Sequence, residues 1–441
     1  MNRDIERNLK TVLVLKVSIC SKFNDIEKVK YHPTRLIIMN LKLLLVILLI
    51  LPNLYIQTNA AVEEPPKMLG QKMIYDPSGQ RIILFGGSYY SNRYTFYGDT
   101  WSYDTTKNEW TKLATNGSPS ARFNHAMVFD SDRGEIVLFG GFSSSDRIGD
   151  TWIYNIASST WTNVSPQLSP SRRSDSGAAY DAKAKKVVIF GGYGLGDNIK
   201  GDTWAFDIER RTWTQMAPTN RPTGRYGSIM VYDYYLEKCL LFGGHLSDES
   251  GKDYGYENEI WAYDFAADNW EMLPTQNKPP ARYWHDLAYD PEENRIILFG
   301  GSQGGGNDQG DTWIFSCRDY RWTKEISIEN PGVRSQPSLA YDTLTKRTLM
   351  FGGADFVTSG TFNYYNDLWE LDENNQWMEL KEGDPQTDQT KTAPGVPGFQ
   401  SLEVAVGIGI VAVILFLQKY TRMSTPVHAI TQFLRACIQI S

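Results

Sequence analysis

One short unit recurs six times between residues 68 and 380, and this recurrence constrains the possible folds more than any other feature of the sequence. A pair of glycines closes an apolar run at Gly86-Gly87, Gly140-Gly141, Gly191-Gly192, Gly243-Gly244, Gly300-Gly301 and Gly352-Gly353, at intervals of 54, 51, 52, 57 and 52 residues. After each pair an acidic residue stands two places before a tryptophan: Asp99/Trp101, Asp150/Trp152, Asp202/Trp204, Glu259/Trp261, Asp311/Trp313 and Asp367/Trp369. A second tryptophan follows at Trp110, Trp161, Trp213, Trp270, Trp322 and Trp377. Twelve of the 13 tryptophans therefore belong to the repeat, and Trp284 alone stands outside it. One copy cannot bury both of its faces, whereas a set packed side by side can.

Each copy reads as four strands, A to D. Strand A follows segments such as Ser120-Ala121-Arg122-Phe123-Asn124-His125, and B precedes the glycine pair. C carries the first tryptophan and D begins at the second. Ile82-Ile83-Leu84-Phe85 is apolar on both faces, as in a strand between packed neighbours. Trp101 and Tyr103 alternate, so they share one face. The glycine pair ends strand B where a Cβ would not fit. The A–B turns are short, as in Asp76-Pro77-Ser78-Gly79, whereas the B–C loops are long, differ between copies and are rich in tyrosine.

Period and markers together resemble the kelch repeat. The resemblance implies an all-β fold: a six-bladed kelch-type β-propeller with four antiparallel strands per blade. The blades fall at about 68–114, 119–165, 170–217, 222–274, 279–325 and 331–380, each complete in sequence order. The glycine pairs and the six first tryptophans are then structural residues of the repeat. B–C loops and D–A loops share one face of the propeller, where binding is expected.

Arg122, Arg173, Arg225, Arg282 and Arg334 open strand A in copies two to six, and Met68 takes the place in copy one. Five arginines at one position could ring a channel mouth and hold an anion, or each could pair with an acid or carbonyls of its own or the next blade. Candidate binding residues are these arginines with Tyr94, Tyr97, Tyr193, Tyr254, Tyr256, Trp284, His285, Tyr364 and Tyr365.

The repeat region has only three histidines, His125, His245 and His285, a poor set for the copper chemistry of kelch-type galactose oxidase. Kelch proteins that act on sialic acids make sugar mutarotation or epimerisation the better enzymatic alternative. The arginines, His285, Asp253 and Glu257 supply the residue types without forming a motif. Asn307-Asp308-Gln309-Gly310-Asp311 lacks the spacing of a calcium loop. No metal or cofactor is expected. Cys239 and Cys317 fall on different strands of adjacent copies, which disfavours a bridge. Asn116 and Asn163 head glycosylation sequons.

The two ends read as addresses. Residues 39–61 have Lys42, an apolar run over 43–51 and Thr58-Asn59-Ala60, the pattern of a signal peptide; residues 1–38 would be an over-extended start. Residues 381–398 read as a stalk linker, 399–418 as a transmembrane or sorting helix and 419–441 as a short cytoplasmic tail. Pro397-Gly398-Phe399 before that helix resembles archaeal cell-surface sorting signals. Residues 61–395 hold 32 Lys/Arg against 46 Asp/Glu, an acidic balance that argues against nucleic acid as a partner. The expectation is an exported, membrane-anchored recognition module that binds glycan or protein through its B–C loops rather than an enzyme. A structural surface-coat role is the further alternative.

Overall fold

The computed structural model describes residues 63–384, except 92, 145, 248–251 and 359–360. The proposed signal segment, the residues before it, the membrane segment and the tail lie outside the described residues, as does all but the start of the stalk. Among the described residues the fold is all-β, with one short 3₁₀ turn at Leu195–Asp197. No helix among them is long and apolar enough to cross a membrane.

Each repeat forms one four-stranded antiparallel meander in chain order. In the first, strands A to D are Lys72–Asp76, Arg81–Phe85, Thr100–Asp104 and Glu109–Lys112. In the last they are Ser338–Asp342, Arg347–Phe351, Leu368–Leu371 and Trp377–Lys381. Among the described residues no sheet borrows a strand from the far end of the chain. The B strands are the driest element: Ile82, Ile83, Leu84 and Phe85 are fully buried. The A–B turns are fixed by an aspartate closing strand A. Asp290 Oδ1, for example, accepts from the Glu292 and Glu293 amides, and Asn294 then takes φ 52° to re-enter strand B.

Neighbouring sheets meet through the same contacts at every junction, and the sixth sheet meets the first in the same way. The second tryptophan packs on the last strand-B phenylalanine of the preceding repeat. Ring centroids are 5.1 Å apart for Phe85–Trp161, 5.2 Å for Phe139–Trp213 and 5.1 Å for Phe190–Trp270. They are 5.0 Å apart for Phe242–Trp322, 5.2 Å for Phe299–Trp377 and 5.3 Å for Phe351–Trp110. Four of these indoles also donate to a strand-C threonine of the preceding repeat, as Trp161 does to Thr100 at 3.0 Å. Trp322 and Trp110 face Ile260 and Leu368 at that place and keep only the ring packing.

The first tryptophans, expected to serve the repeat as uniformly as the second, do so unevenly. Trp101, Trp204 and Trp369 are buried, whereas Trp152, Trp261 and Trp313 are only half-buried. Buried or not, each pairs with a strand-D residue at the outer edge of its sheet, as Trp152 does with Asn163, Trp313 with Lys324 and Trp369 with Glu379. Lys324 Nζ lies 5.8 Å over the Trp313 ring, as Lys112 lies 5.6 Å over Trp101. In four repeats the first tryptophan also works through its N–H, which donates to the acid two places before it.

The glycine pair explains itself at the junction between sheets. A Cβ on Gly140 would stand 2.4 Å from the Arg173 carbonyl oxygen, and both glycines have positive φ. The Gly141 amide donates to that carbonyl at 2.9 Å, and the Gly353 amide donates to Met68 at 2.9 Å across the sixth-to-first junction.

Trp110→Ala tests this junction directly. It should cost about 3–5 kcal/mol, as much as Trp213→Ala inside the array, because each empties an equivalent packed site. Guanidinium unfolding of the two variants decides; a Trp110→Ala cost well under half that of Trp213→Ala would mean the ends do not hold together.

Candidate functional site

The repeated arginines are buried, between 0% and 2% exposed. Arg122 forks onto Asp150 at 2.6 and 2.9 Å, Arg173 onto Asp202 at 2.5 and 3.0 Å, Arg282 onto Asp311 at 2.6 and 3.2 Å, and Arg334 onto Asp367 at 2.7 and 3.0 Å. Each also donates to the carbonyl of the first glycine of its repeat's pair. The same aspartates accept the indole N–H of the first tryptophan, from Trp152, Trp204, Trp313 and Trp369 in turn, at 2.7–2.8 Å. Arg122 and its equivalents, next to the carboxyls of Asp150, Asp202 and Asp311, hold these below the usual range against the opposing effect of burial. Buried, and in four repeats forked onto an aspartate of their own blade, the arginines present no open ring to an anion.

Two repeats depart from this clamp. Repeat one has buried Met68 in place of the arginine, and Asp99 turns to Lys112 at 3.0 Å. Repeat four has Glu259, one methylene longer. Arg225 keeps the carbonyls of Thr223 and Gly243 but makes no hydrogen bond to this carboxylate, and the Trp261 N–H is buried without a partner. Burial lowers Arg225 to about 10.

Two residues beyond the arginine position the chain turns left-handed in all six repeats, at Gly70, Asn124, Asp175, Gly227, Trp284 and Gln336 (φ 52–68°). Their backbones form a closed circuit. Asn124 N–H donates to Gly70, Asp175 to Asn124, Gly227 to Asp175, Trp284 to Gly227, Gln336 to Trp284, and Gly70 to Gln336, at 2.7–3.3 Å. Trp284 spans the space above Gly227, where a Cβ would meet its ring at 2.9 Å, and donates to Asp175 Oδ1 at 2.9 Å. Asn124 donates to the same oxygen and Ser174 to Oδ2. Burial raises the Asp175 carboxyl despite these donors.

Around this circuit lies a belt of aromatic rings. It runs Tyr90, Tyr94, Phe96, Phe123, Phe142, then the Arg147 guanidinium, Tyr193, Tyr226, Tyr283 and Tyr256, in steps of 4.0–5.9 Å. Trp284 joins it by stacking on Tyr283 at 4.2 Å. Four B–C loops fold as β-hairpins, and three of them carry belt rings: Ser88–Tyr90 with Tyr94–Phe96, the hairpin that holds Tyr193, and His245–Ser247 with Asp253–Tyr256. His245 bridges Tyr226 O–H (2.7 Å, Nδ1) and Asp253 (2.9 Å, Nε2). The carboxylate can only accept, so Nε2 donates to it.

Of the residues expected from sequence, Tyr94, Tyr193, Tyr256 and Trp284 are brought together on the belt. Tyr254 is 48% exposed and stands outward under Lys252. Tyr97, Tyr364 and Tyr365 serve packing instead. Tyr97 lies against the first core cluster, Tyr364 is 4% exposed beside Tyr89, and Tyr365 supports the Arg334 guanidinium at 4.1 Å. His285 and His125 are buried against Phe242 and Phe85, and burial holds both well below the ordinary histidine range, so both are neutral. The three histidines do not converge. Cys239 and Cys317 are free and buried, and Asn116 and Asn163 are exposed. Sequence reasoning missed Phe123, Tyr226, Tyr283 and Asp175. Their signal was position: they stand one or two places after the repeated arginine, where Asn, Asp and Gly recur.

The KLHDC2/KLHL20/DRC7 Kelch-repeats domain model matches residues 52–244 and 228–397. The chain belongs to this kelch-repeat family. Among curated proteins it is similar to an F-box/kelch-repeat protein of Arabidopsis thaliana, 25% identical over 66% of this chain and 52% of that one. It is also similar to Mei4-dependent protein 6 of Schizosaccharomyces pombe, 25% identical over 70% of this chain and 48% of that one. The flagellar outer-arm dynein alpha chain of Chlamydomonas reinhardtii is 24% identical over 67% of this chain and only 7% of its own length. The chain thus spans about half the length of the first two relatives.

The kelch clamp yields a gain-of-stability prediction. Glu259→Asp should restore the fork to Arg225 and the acceptor for Trp261, adding about 1–2 kcal/mol for hydrogen bonds to charged groups. Denaturant midpoints of the variant and the parent measure it; a lower midpoint would refute the account of repeat four.

Proposed function

We propose that the six sheets are the blades of one closed six-bladed propeller, and that the aromatic belt on its B–C face is a surface for recognising a protein partner. One observation carries the second part: the belt is continuous over five repeats. Aromatic rings with buried or stiffened bases give large contact area at little cost in side-chain freedom, the composition of interface anchors. Asp253 and Glu257 lie beside the belt on the fourth B–C loop and Asp308 and Asp355 on the B–C loops of repeats five and six, so the complementary segment carries basic as well as apolar groups. A glycan is the second reading, favoured by the partly exposed stacked pair Tyr283 and Trp284, whose faces suit a sugar ring.

Panning the full chain against a displayed peptide library, with a glycan array in parallel, separates the two. Enriched peptides should carry Lys or Arg beside apolar residues. Their affinity should fall at least tenfold in Tyr94→Ala or Tyr256→Ala, each removing an anchor worth about 2 kcal/mol. Hits confined to glycans would move the reading to sugar, and ligands indifferent to both variants would remove the belt from it.

We also propose export, with residues 39–61 removed and 399–418 tethering the propeller to a membrane. The sequence pattern of both segments supports this, as do the exposed sequons at Asn116 and Asn163. Sequencing the mature N-terminus should place it near residue 61; a mature chain that retains residues 1–38 would end the proposal.

A further inference from the structure

The opposite face is built differently. The A strands of all six repeats surround a lumen that opens at the A–B turns with a volume of about 420 Å³. Its wall is mostly aliphatic, with Ile74, Val128, Ala178, Val231 and Ala288 among the lining residues. Its rim is a collar of rings, one per repeat: Tyr75, Phe129, Tyr180, Tyr232, Tyr289 and Tyr341. Hydrogen bonds hold the collar open. Tyr180 donates to Asp132 at 2.7 Å and Tyr289 to Asn294 at 2.6 Å. Towards the B–C face a second, smaller space of about 40 Å³ lies under the six left-handed residues. The lumen is thus widest towards the A–B face, where its size and lining suit a small molecule.

One charged pair stands at its inner end. Lys72 Nζ donates to Asp286 Oδ1 at 3.1 Å, and Asp286 Oδ2 accepts the Leu339 amide at 2.9 Å. Asp286 is therefore satisfied and 4% exposed. Lys72 has three N–H donors, and Asp286 is its one hydrogen-bond partner among the described residues. Its charge is already balanced, so a second carboxylate would meet Asp286 as well as Lys72. A neutral acceptor gains the spare donors without that repulsion.

We propose that this chamber binds a neutral, largely apolar small molecule that enters from the A–B face and presents a carbonyl oxygen to Lys72 Nζ. Walls with few polar groups hold water poorly, so an apolar body displaces it at little loss. The site is independent of the B–C belt, and either reading can fail alone.

The test uses the full chain and 6-propionyl-2-dimethylaminonaphthalene, a neutral ketone whose emission shifts to the blue in apolar surroundings. Emission should shift and saturate at one probe per chain. The ketone should bind at least tenfold more tightly than 2-dimethylaminonaphthalene, which lacks the carbonyl. Lys72→Met should erase that preference while leaving the carbonyl-free compound bound. Ala178→Phe, at a half-buried wall position with open space before it, should abolish both. Failure to saturate, or equal affinity for the two compounds in the parent chain, overturns the proposal whether or not the variants fold. Binding that survives in folded Ala178→Phe overturns it too, by placing the probe elsewhere.

Discussion

The close approach of one repeat's glycine pair to the next repeat's arginine carbonyl is the constraint on which the rest of the molecule depends. At Gly140 that approach leaves no room for a Cβ and requires a positive φ, and the Gly141 amide then bonds the Arg173 carbonyl. Fixing the carbonyl fixes the arginine that bears it. Its guanidinium reaches back to Asp202 and the Gly191 carbonyl, and Asp202 in turn orients Trp204. A single backbone contact between repeats thus sets the start of strand A, the end of strand B and the start of strand C in the repeat that follows. A buried arginine is tolerable only because its fork is matched by a carboxylate and by backbone carbonyls. The clamp explains why the acid two places before the tryptophan recurs, and why the glutamate of repeat four leaves two buried groups short. It also explains why Trp152 and Trp313 recur although they are only half-buried: the aspartate needs their N–H more than the core needs their rings.

Much of this was legible in the sequence because it is periodic. Glycine pairs, acids, both tryptophans and the arginines each recur at one place in the unit, and a residue that recurs serves what recurs, the junction between repeats. The arginine ring shows the limit of that logic. Recurrence was equally compatible with five cations around a channel mouth, and only the 2.5–3.2 Å forks onto the neighbouring aspartates distinguish the two. What stayed hidden is what does not recur. The belt draws Phe123 from repeat two, Tyr226 from four, Tyr283 from five and Phe142 from a position just past a glycine pair. These rings are far apart in sequence and become neighbours only when the left-handed turns bring six strand-A entries around one centre. The long loops drew attention for their tyrosines, yet Tyr364 and Tyr365 are absorbed by packing and by the Arg334 guanidinium.

The left-handed circuit also explains why the two faces of the lumen differ. Backbone hydrogen bonds from Gly70 around to Gln336 draw the six entries together until side chains must share the centre. Only a mixture of sizes fits. Gly70 and Gly227 contribute nothing, and Trp284 crosses the space above Gly227 to reach Asp175. The B–C face is thereby roofed with polar and aromatic groups, with the stacked rings as its surface. At the other end strand A closes with a ring and an aspartate in every repeat. The larger side chains there are tied to turn residues, as Tyr180 is to Asp132 and Tyr289 to Asn294, instead of meeting at the axis, and the lumen widens to about 420 Å³.

That asymmetry separates two kinds of recognition in one fold. The roofed face is broad, held by backbone and rigid rings, and suits a macromolecular surface that needs area. The open face is concave, lined mostly by apolar side chains and ends in a lysine with donors to spare, and suits a small molecule that needs enclosure. A ligand in the lumen would touch strand A of every repeat, the strands that carry the circuit and the arginines. Such a ligand would bind the closed arrangement and not the unfolded chain, so it would stabilise the propeller in proportion to the logarithm of its concentration over its dissociation constant.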